Sequence, residues 1–411
     1  MVAQSSQGLP SGRAGIGVSD FAPASGEEAS DIIRDACANN RTMCVEGGGT
    51  RTGLGRPVVS DDTLSTRNLS GILIYEPAEM MIRARAGTPL AEIEAALESN
   101  NQMLPFEPVD YRHVYGTQGS PSIGALAACN LSGSRRIRAG AARDSLIGVR
   151  FINGAGQELS SGGRVMKNVT GLDLVKLQAG AYGTLGLLTE VTFKLLPKPE
   201  ATGSLVLDSL DEVNAIKAMG TALQSPFEVS AAAHVVNASG ETQTAIRVEQ
   251  FKPSVDYRLG ELQKRLAEFG TARVLEDQES QSFWQDVRDV KVLSCAADSA
   301  IWRISIRPSA ATASLQNLRN AGLQFQSLLD HGGGLIWLSV DADGDAGAGK
   351  IRSAIPAGAG HAMLVRAPDA VRQSVPVFQP LAEPVMKLTA GIKKSLDAGG
   401  IFNPGRMYAG I

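Results

Sequence analysis

The chain has 411 residues, which is too long for one ordinary hydrophobic core and predicts two domains. Its apolar content of 43% and charged content of 20% are typical of a globular protein in water. A net charge of −3 without a basic block gives no general attraction for nucleic acid or anionic lipid, and no apolar run approaches the roughly 20 residues that cross a bilayer.

The N-terminal segment, residues 1–20, is rich in serine and glycine and lacks an apolar core. We interpret it as a loose lead-in and not as a signal peptide. The cysteines Cys37, Cys44, Cys129 and Cys295 are scattered and form no CxxC pair, which favours neither a disulfide framework nor a set of iron–sulfur ligands. We therefore expect a cytoplasmic protein, with any membrane contact made through a partner.

Residues 21–199 alternate short strands and helices with irregular glycine loops, a pattern that is typical of an α+β domain. No G-x-G-x-x-G opens a helix after the first strand, so the region is not a single Rossmann unit. Apolar spacing predicts a helix over 27–39, and a second helix is expected to begin with Thr88 as N-cap and Pro89 in its first turn. Strands are predicted at 42–46, 80–86, 146–152 with a hairpin to 157–159, and 187–196, where Pro197 stops the strand.

Residues 200–380 are predicted to form an antiparallel sheet with helices on one face. The strands are expected at 204–207, 244–249, 300–306 and 334–340, and the helices at 211–223, 257–269 and 311–321. Leu381, Val385, Leu388, Ile392 and Leu396 then predict a last amphipathic helix, after which the chain returns to the first domain. We divide the chain into 1–20, 21–199, 200–380 and 381–411.

Three glycine-rich segments follow one another in the first half of the chain, at 46–51, 122–133 and 180–186. Without a Cβ, a glycine backbone can approach an anionic ligand closely and direct its N–H groups at phosphate oxygens. One such loop also occurs in an ordinary tight turn. Three in series, each beside a strand-like run, predict that several loops converge on one long diphosphate-bearing cofactor.

These segments resemble the flavin-binding domain shared by vanillyl-alcohol oxidase and the bacterial FAD-linked dehydrogenases of 2-hydroxy acids. More narrowly, the chain resembles the small FAD-binding subunits of bacterial glycolate oxidases (glycolate dehydrogenases). The similarity covers about 21–199 and returns at 400–408; its most specific pieces are 165–173 and the closing Asn403-Pro404-Gly405-Arg406-Met407. The resemblance implies a two-part flavin-binding domain and an α+β cap domain that covers the flavin ring.

The resemblance also implies which residues hold the FAD. Relatives with covalent flavin have a histidine after the first glycine triplet, and Thr50 stands there, so we expect non-covalent FAD. The second segment departs from the usual pattern because Ala125 replaces a glycine. The predicted cofactor-binding set is Gly47, Gly48, Gly49, Thr50, Arg51, Ser122, Ile123, Gly124, Ser132, Gly133, Arg143, Asp144, Gly180, Gly183, Thr184, Gly186 and Leu187.

Several roles stay open at this point. Arg143 could neutralise phosphate or pair with Asp144, and the third segment could face adenine and ribose or be an ordinary strand end. Lys167 and Asn168 could face the flavin or a partner.

The sequence contains no clear catalytic group. None of the histidines His113, His234, His331 and His361 is paired at ligand spacing, so we predict no catalytic metal. His331 precedes a glycine run similar to the metal segment of the stand-alone dehydrogenases but lacks its other ligands. A lone histidine is more often structural than catalytic.

Oxidising a 2-hydroxy acid requires a base, a cation for the carboxylate and a hydride acceptor. Arg303 and Arg366 lie on predicted cap strands, where each could face a carboxylate or solvent. The leading hypothesis is an FAD-binding subunit that oxidises glycolate together with a larger flavoprotein subunit and an iron–sulfur subunit. The alternatives are a stand-alone FAD-linked D-2-hydroxy acid or alcohol dehydrogenase and a flavin-binding structural subunit without turnover. We expect the cap strands and 403–406 near subunit junctions.

Overall fold

The computed structural model describes residues 19–163, 171–236, 240–293 and 295–411. The predicted flavin- or partner-facing residues Lys167 and Asn168 lie outside these ranges. The helices and strands of the described residues form an α+β fold, which confirms the predicted fold class. No helix in these ranges is both long enough and apolar enough to cross a bilayer.

The strands of the described residues fall into a first group before residue 200 and a second group after it. They are β1 (Ser19–Phe21), β2 (Met43–Glu46), β3 (Asp62–Ser65), β4 (Ile72–Glu76), β5 (Met81–Arg85), β6 (Gln102–Met103), β7 (Leu146–Ile152), β8 (Glu158–Gly162), β9 (Leu187–Lys194) and β10 (Leu196–Pro197), followed by β11 (Ala201–Asp208), β12 (Ala231–Val236), β13 (Thr242–Gln250), β14 (Arg273–Glu276), β15 (Ser299–Ile306), β16 (Gln326–Asp330), β17 (Leu335–Asp341) and β18 (Gly360–Arg366).

The helices are mostly short in the first half of the chain and longer in the second half. They are α1 (Gly26–Ala38), α2 (Leu90–Glu98), α3 (Arg112–Tyr115), α4 (Ile123–Cys129), α5 (Arg136–Ala139), α6 (Ala142–Ser145), α7 (Leu174–Gln178), α8 (Glu212–Leu223), α9 (Lys252–Arg265), α10 (Asp277–Arg288), α11 (Pro308–Asn320), α12 (Ala348–Ala354), α13 (Asp369–Ser374) and α14 (Glu383–Leu396), with 3-10 turns at Pro77–Glu79, Ala267–Phe269 and His331–Gly333.

The first group of strands forms two main sheets. A parallel sheet has the order β1-β3-β2, and an antiparallel sheet has the order β4-β5-β9-β7-β8. The small sheet is covered by the buried Ala29, Ile33 and Ala36 of α1 and by Phe402 from the end of the chain. The glycine segment at 46–51 begins where β2 ends, so this sheet positions the first segment.

The second group forms one antiparallel sheet of eight strands, which we call the cap sheet, in the order β14-β11-β13-β12-β16-β17-β15-β18. Each half runs strand-helix-strand-strand-helix-strand and has the same strand order, so the halves are two ferredoxin-like units side by side. Among the described residues, the pair of His234 with Leu329 joins the halves between β12 and β16. Helices α8, α9 and α11 cover one face, as predicted, and the other face packs against residues of the first part of the chain.

Most predicted elements are present, and four details differ. The hydroxyl of Thr88 donates to the carbonyl of Arg85 at 2.7 Å, so it does not cap α2, whose N-cap is Pro89. The strand predicted to reach 196 ends at Lys194, and a separate two-residue strand at Leu196–Pro197 pairs with β6.

Helix α10 was missed, and α14 differs from expectation in its burial. Helix α10 is largely polar and buries only Ser280, Trp284 and Val287, a stripe too narrow to predict a helix. The predicted apolar stripe of α14 is only partly buried: Leu388 is 65% exposed and Val385 is 48% exposed, whereas Leu381, Ile392 and Leu396 are half-buried. The domain limits drawn from the sequence stay a prediction.

Candidate functional site

The three glycine segments converge in the structure. A Cβ on Gly48 would overlap the carbonyl oxygen of Ser120, just before the second segment, and a Cβ on Gly47 would overlap Oγ of Ser122 within it, so the first two segments are in close contact. In the third segment, a Cβ on Gly183 would lie 3.6 Å from Val45 in β2. Glycine is therefore required at 47 and 48 for close approach between loops.

Asn403 from the C-terminal segment joins the first and third segments. Its side chain accepts a hydrogen bond from the Val45 N–H at 2.9 Å and donates to the carbonyls of Tyr182 at 3.1 Å and Gly183 at 2.9 Å. Asn403 is fully buried and has a left-handed φ of 45°, which asparagine tolerates better than most residues. The segment 403–406, predicted near a subunit junction, is therefore partly internal and fixes the site.

A buried ion pair holds the C-terminal segment in place. Nζ of Lys393 in α14 lies 2.6 Å from Oδ2 of Asp397 and also donates to the carbonyls of Thr184 at 2.7 Å and Phe402 at 2.8 Å. The carboxylate of Asp397 accepts the N–H groups of Ile401 and Phe402. Burial lowers the pKa of Lys393 from its usual value. The ion pair therefore ties α14 and the chain end to the third glycine segment.

The converging segments line a cleft of about 790 Å3, counted with the solvent space at its mouth. From the predicted set, Gly47, Gly48, Gly49, Thr50, Arg51, Gly124, Gly183 and Gly186 line this cleft. Residues that were not in the predicted set also line it, among them Glu46, Ala86, Ala125, Cys129, Gln178, Tyr182, Leu188 and Arg406.

Several buried polar atoms at this cleft have no partner among the described residues. They are Nε of Arg51 and Arg406, the amide Nε2 of Gln178 and, in the second segment, Oγ of Ser122. Burying a polar group without a partner costs about 1–3 kcal/mol, so a ligand in the cleft that forms hydrogen bonds to these atoms would be stabilised by them. Because two of the orphaned atoms belong to guanidinium groups, the ligand that fits is anionic.

The rest of the predicted set lies around the cleft without lining it. Ile123 and Leu187 are buried in the core, and Thr184 donates to the carbonyl of Ala181. Arg143 and Asp144 are exposed. The carboxylate of Asp144 accepts the Ala141 N–H and does not form the ion pair with Arg143 that was one of the two alternatives. Ser122 lies beside Gly47, and the side chain of Ser132 accepts the Ala142 N–H. The backbone N–H of Gly133 donates to the carbonyls of Phe106 and Glu107, and that of Gly180 donates to the carbonyl of Ala128. Their roles in binding stay predictions.

Tyr182 connects the cleft with the cap sheet. Its ring lies edge-on to Phe378 with centroids 5.0 Å apart, and its hydroxyl is 3.9 Å from the sulfur of Met363 in β18. Burial raises the pKa of Tyr182, so the phenol stays protonated. Its left-handed φ of 54° is unusual for an aromatic residue and is held by the hydrogen bond from Asn403.

The two arginines predicted to face a carboxylate have different surroundings. The guanidinium of Arg366 donates to the carbonyl of Ala296 at 2.6 Å and to the hydroxyl of Ser299 at 3.0 Å, so it is a structural group. Arg303 lies on the cap-sheet face that packs on the first part of the chain, with its Cζ 5.9 Å from the ring centroid of Trp337. Within the described ranges, no group of three or more His, Cys, Asp or Glu side chains is placed to hold a metal ion.

Comparison with known proteins agrees with this geometry. Residues 20–162 match the family model described as an FAD binding domain. The fold is similar to p-cresol methylhydroxylase with substrate bound, with a TM-score of 0.72 and 14% identity over 95% of this chain and 88% of that one. The chain is an FAD-dependent oxidoreductase with the fold of the vanillyl-alcohol oxidase class, as the sequence predicted.

Two curated relatives narrow the class. The chain is 36% identical to "Glycolate oxidase subunit GlcE" of Escherichia coli (strain K12) over 380 residues, which is 92% of this chain and 95% of that one. It is 31% identical to a D-2-hydroxyglutarate dehydrogenase of Xanthomonas citri pv. viticola over 46% of this chain and 39% of that one. The chain belongs to the family of the glycolate oxidase subunit GlcE.

The residues at the cleft fit FAD, a long dianionic cofactor. Gly47, Gly48 and Gly49 line the cleft and could direct backbone N–H groups at a diphosphate, and Arg51 and Arg406 could neutralise its charge. Sequence reasoning missed Gln178, Tyr182 and the position of Arg406 in the cleft. A glutamine in an apolar helix such as α7 was the available sign for Gln178, whereas no local pattern predicts that a distant C-terminal arginine reaches this cleft.

Proposed function

We propose that this chain is an FAD-carrying subunit of a dehydrogenase complex that oxidises glycolate, a small 2-hydroxy acid, to glyoxylate. In this proposal it works with a larger flavoprotein subunit and passes electrons to an iron–sulfur subunit. The observation that carries the proposal is the end-to-end similarity to a protein named as a glycolate oxidase subunit. The word subunit in that name supports a complex, and the described cysteines provide no cluster for an iron–sulfur centre in this chain.

The cleft supports the cofactor part of the proposal. Gly47, Gly48 and Gly49 would hold the diphosphate, with Arg51 and Arg406 neutralising its charge. Bound flavin supplies an acceptor for the hydride that leaves the hydroxyl-bearing carbon. The chain's own contribution is to bind and orient the cofactor, with Tyr182 lining the cleft and packing edge-on against Phe378.

We propose that FAD is held without a covalent bond, because the position after the glycine triplet is the buried Thr50. In covalent relatives a histidine side chain forms the bond to flavin, and a threonine hydroxyl does not replace it in that role. Acid precipitation should release yellow FAD into the supernatant. Flavin that stays with the precipitate would contradict non-covalent binding, and a preparation without flavin under any condition would contradict the cofactor site.

A second candidate is a stand-alone FAD-linked D-2-hydroxy acid dehydrogenase. It is favoured by the similarity to a D-2-hydroxyglutarate dehydrogenase and by the cationic Arg303 beside the cleft, which gives this chain a substrate-binding group of its own. The two candidates differ in whether partners are needed for turnover.

The deciding experiment compares the purified chain with the chain co-expressed with its larger flavoprotein and iron–sulfur partners, using dye reduction with glycolate and D-lactate. We expect little or no turnover by the chain alone and glycolate turnover by the complex. Equal turnover by the isolated chain would support the stand-alone enzyme. Flavin in this chain that substrate never bleaches, even inside the active complex, would support a structural subunit.

A further inference from the structure

We propose that Arg136 and Arg303 form one anion-binding site that holds the substrate carboxylate at the boundary between the cap sheet and the first part of the chain. The inference rests on the proposed function, since the carboxylate is that of a 2-hydroxy acid. It adds a specificity-determining pair of side chains that come from opposite sides of this boundary.

The register of the cap sheet places Arg303 at the boundary. Arg303 is paired with Trp337 in β17 and with Met363 in β18, and directly opposed residues share a face of a sheet. Trp337 contacts Tyr111 of the first part, with ring centroids 5.6 Å apart, and Met363 contacts Tyr182. The guanidinium of Arg303 therefore stands on the face that looks towards the cleft.

Arg136 reaches the same place from the other side. It begins α5, directly after a segment that is pinned to the end of β16. The hydroxyl of Ser134 donates to Oδ2 of Asp330 at 2.7 Å, and Nε2 of His331 lies 3.4 Å from the carbonyl of Gly133. The two guanidinium groups are close enough for their charges to interact: burial lowers the pKa of Arg136 and Arg303 lowers it further, whereas the exposed Asp144 acts in the opposite direction.

Neither guanidinium forms a hydrogen bond or a close ion pair among the described residues, whereas a neighbouring arginine at the same boundary is fully paired. Arg135 bonds to Glu249 at 2.7 Å and lies 3.5 Å from Glu107. The nearby carboxylate of Asp330 is engaged by the hydroxyl of Ser134 and by the N–H of His331 at 2.7 Å. Two half-buried cations close to each other favour the binding of an anion. The carboxylates of the boundary are engaged elsewhere: Glu107 and Glu249 by Arg135, and Asp330 by Ser134 and His331. The exposed Asp144 accepts the Ala141 N–H.

The histidines near this site carry no charge at pH 7, so its positive charge comes from the arginines. Burial, followed by the field of Arg303 and Arg136, lowers the pKa of His361, which is exposed at the end of β18. Burial also lowers the pKa of His331, although Asp330 acts in the opposite direction. Both imidazoles are therefore neutral at pH 7.

The site adjoins the flavin cleft through contacts that are continuous. Arg51, which lines the cleft, donates to the carbonyl of Val109 at 2.8 Å, and Tyr111 two residues later packs on Trp337 below Arg303. Tyr182 lines the cleft and touches Met363 beside Arg303. A small acid held by its carboxylate at this boundary therefore lies next to the cofactor cleft.

The test uses the FAD-loaded chain and oxalate as a non-reacting small carboxylate probe, followed by isothermal titration and by the flavin absorbance spectrum. We expect Arg303→Met and Arg136→Met each to weaken oxalate binding roughly tenfold or more with unchanged FAD content. Arg303→Lys should retain part of the affinity because it keeps the charge. Arg138→Met is the matched control, since Arg138 is on the same helix but pairs with the exposed Glu228.

In the co-expressed complex, the same two methionine variants should raise KM for glycolate at least tenfold and leave turnover of the neutral analogue glycolamide unchanged. Unchanged oxalate affinity, an equal loss in Arg138→Met, or FAD loss in both methionine variants and in Arg303→Lys would overturn the inference. If the variants oxidise glycolate with normal KM, the inference is wrong and the proposed function stands. If oxalate binding depends on both arginines but no complex oxidises a 2-hydroxy acid, the site stands and the proposed function is wrong.

Discussion

Asn403 and Gly183 lie 220 positions apart in the chain and are joined by a 2.9 Å hydrogen bond from the asparagine amide to the glycine carbonyl. The same side chain accepts the Val45 N–H, so one amide holds two of the three glycine segments. The cleft therefore depends on a residue that lies far from the glycine segments in sequence.

Replacing Asn403 with alanine should lower the free energy of unfolding by about 3 kcal/mol, because it leaves buried backbone groups unpaired and places alanine at a left-handed φ. It should also weaken FAD retention. Denaturant unfolding and flavin content measure the two effects. Asn39→Ala is the control, since the exposed Asn39 also donates to a backbone carbonyl. Equal effects in both variants would show that the hydrogen bonds of Asn403 between the glycine segments are unimportant.

Gly49→Val should abolish FAD retention and leave the fold intact. Gly49 has a φ of 72° and open space where a Cβ would lie, so a side chain there enters the cleft without displacing protein atoms. Gly358→Val is a matched control with a φ of 69°, equally open space and no contact with the cleft. Both variants should lose a similar stability of about 1–2 kcal/mol. FAD retention by Gly49→Val would remove this loop from the binding site. Gly48 is a poor test because its Cβ would overlap Ser120.

Gln178→Leu should change two quantities in opposite directions. The side-chain amide is buried without a partner, so its removal should leave the stability of the FAD-free chain equal or higher. The affinity for FAD should fall about tenfold if the cofactor satisfies that amide. Thermal unfolding with and without added FAD measures both. Gln102→Leu, which removes an amide that donates to Pro77 at 2.8 Å, should lower stability without affecting FAD. A loss of stability in both variants would argue against a ligand at Gln178.

Glu107 should make the free energy of unfolding depend on pH in the acidic range. Burial alone would raise its pKa, but Arg247 and Arg135 outweigh burial and hold the pKa of Glu107 far below its usual range. The stabilisation by a carboxylate with a lowered folded-state pKa is fully present above the unfolded-state pKa of about 4.3. It is lost as the pH falls towards the folded-state pKa.

Glu107→Gln should therefore cost roughly 3 kcal/mol at pH 7 and at pH 5.5, and the difference from the original chain should shrink below about pH 4. Denaturant unfolding at several pH values measures this. Glu98→Gln breaks an exposed pair with Lys198 and should cost under about 1 kcal/mol at every pH. A difference that does not shrink in acid would mean that shape, not charge, explains the effect of Glu107→Gln.

The sequence predicts local features of this protein better than contacts between distant segments. Helix α1 and the strands around it follow from periodicity, and the glycine segments mark three loops that the structure brings together. The resemblance correctly implied an FAD-dependent oxidoreductase. Arg406 and Gln178 reach the cleft through tertiary packing, which no short pattern encodes.

The polar residues also illustrate why some roles cannot be assigned from sequence. Arg303 and Arg366 lie on neighbouring strands and had equal claims to a carboxylate. Arg366 is occupied by Ala296 and Ser299, and only the folded arrangement of the cap sheet reveals this. Likewise, Leu388 has the spacing of a buried residue but faces outward, because Lys393 and its hydrogen bonds set the rotation of α14.

The two halves of the cap sheet share one architecture, as the subunits of an isologous dimer do, although they belong to a single chain. Each half presents an arginine towards the flavin-bearing part, Arg247 from β13 and Arg303 from β15. Arg247 is neutralised by Glu107 at 2.7 Å and anchors the first half. Arg303 forms no close ion pair with a carboxylate among the described residues. The repeated architecture thus provides two similar halves. The half with Arg247 can be held permanently against the first part of the chain, while the half with Arg303 stays available to bind a ligand reversibly.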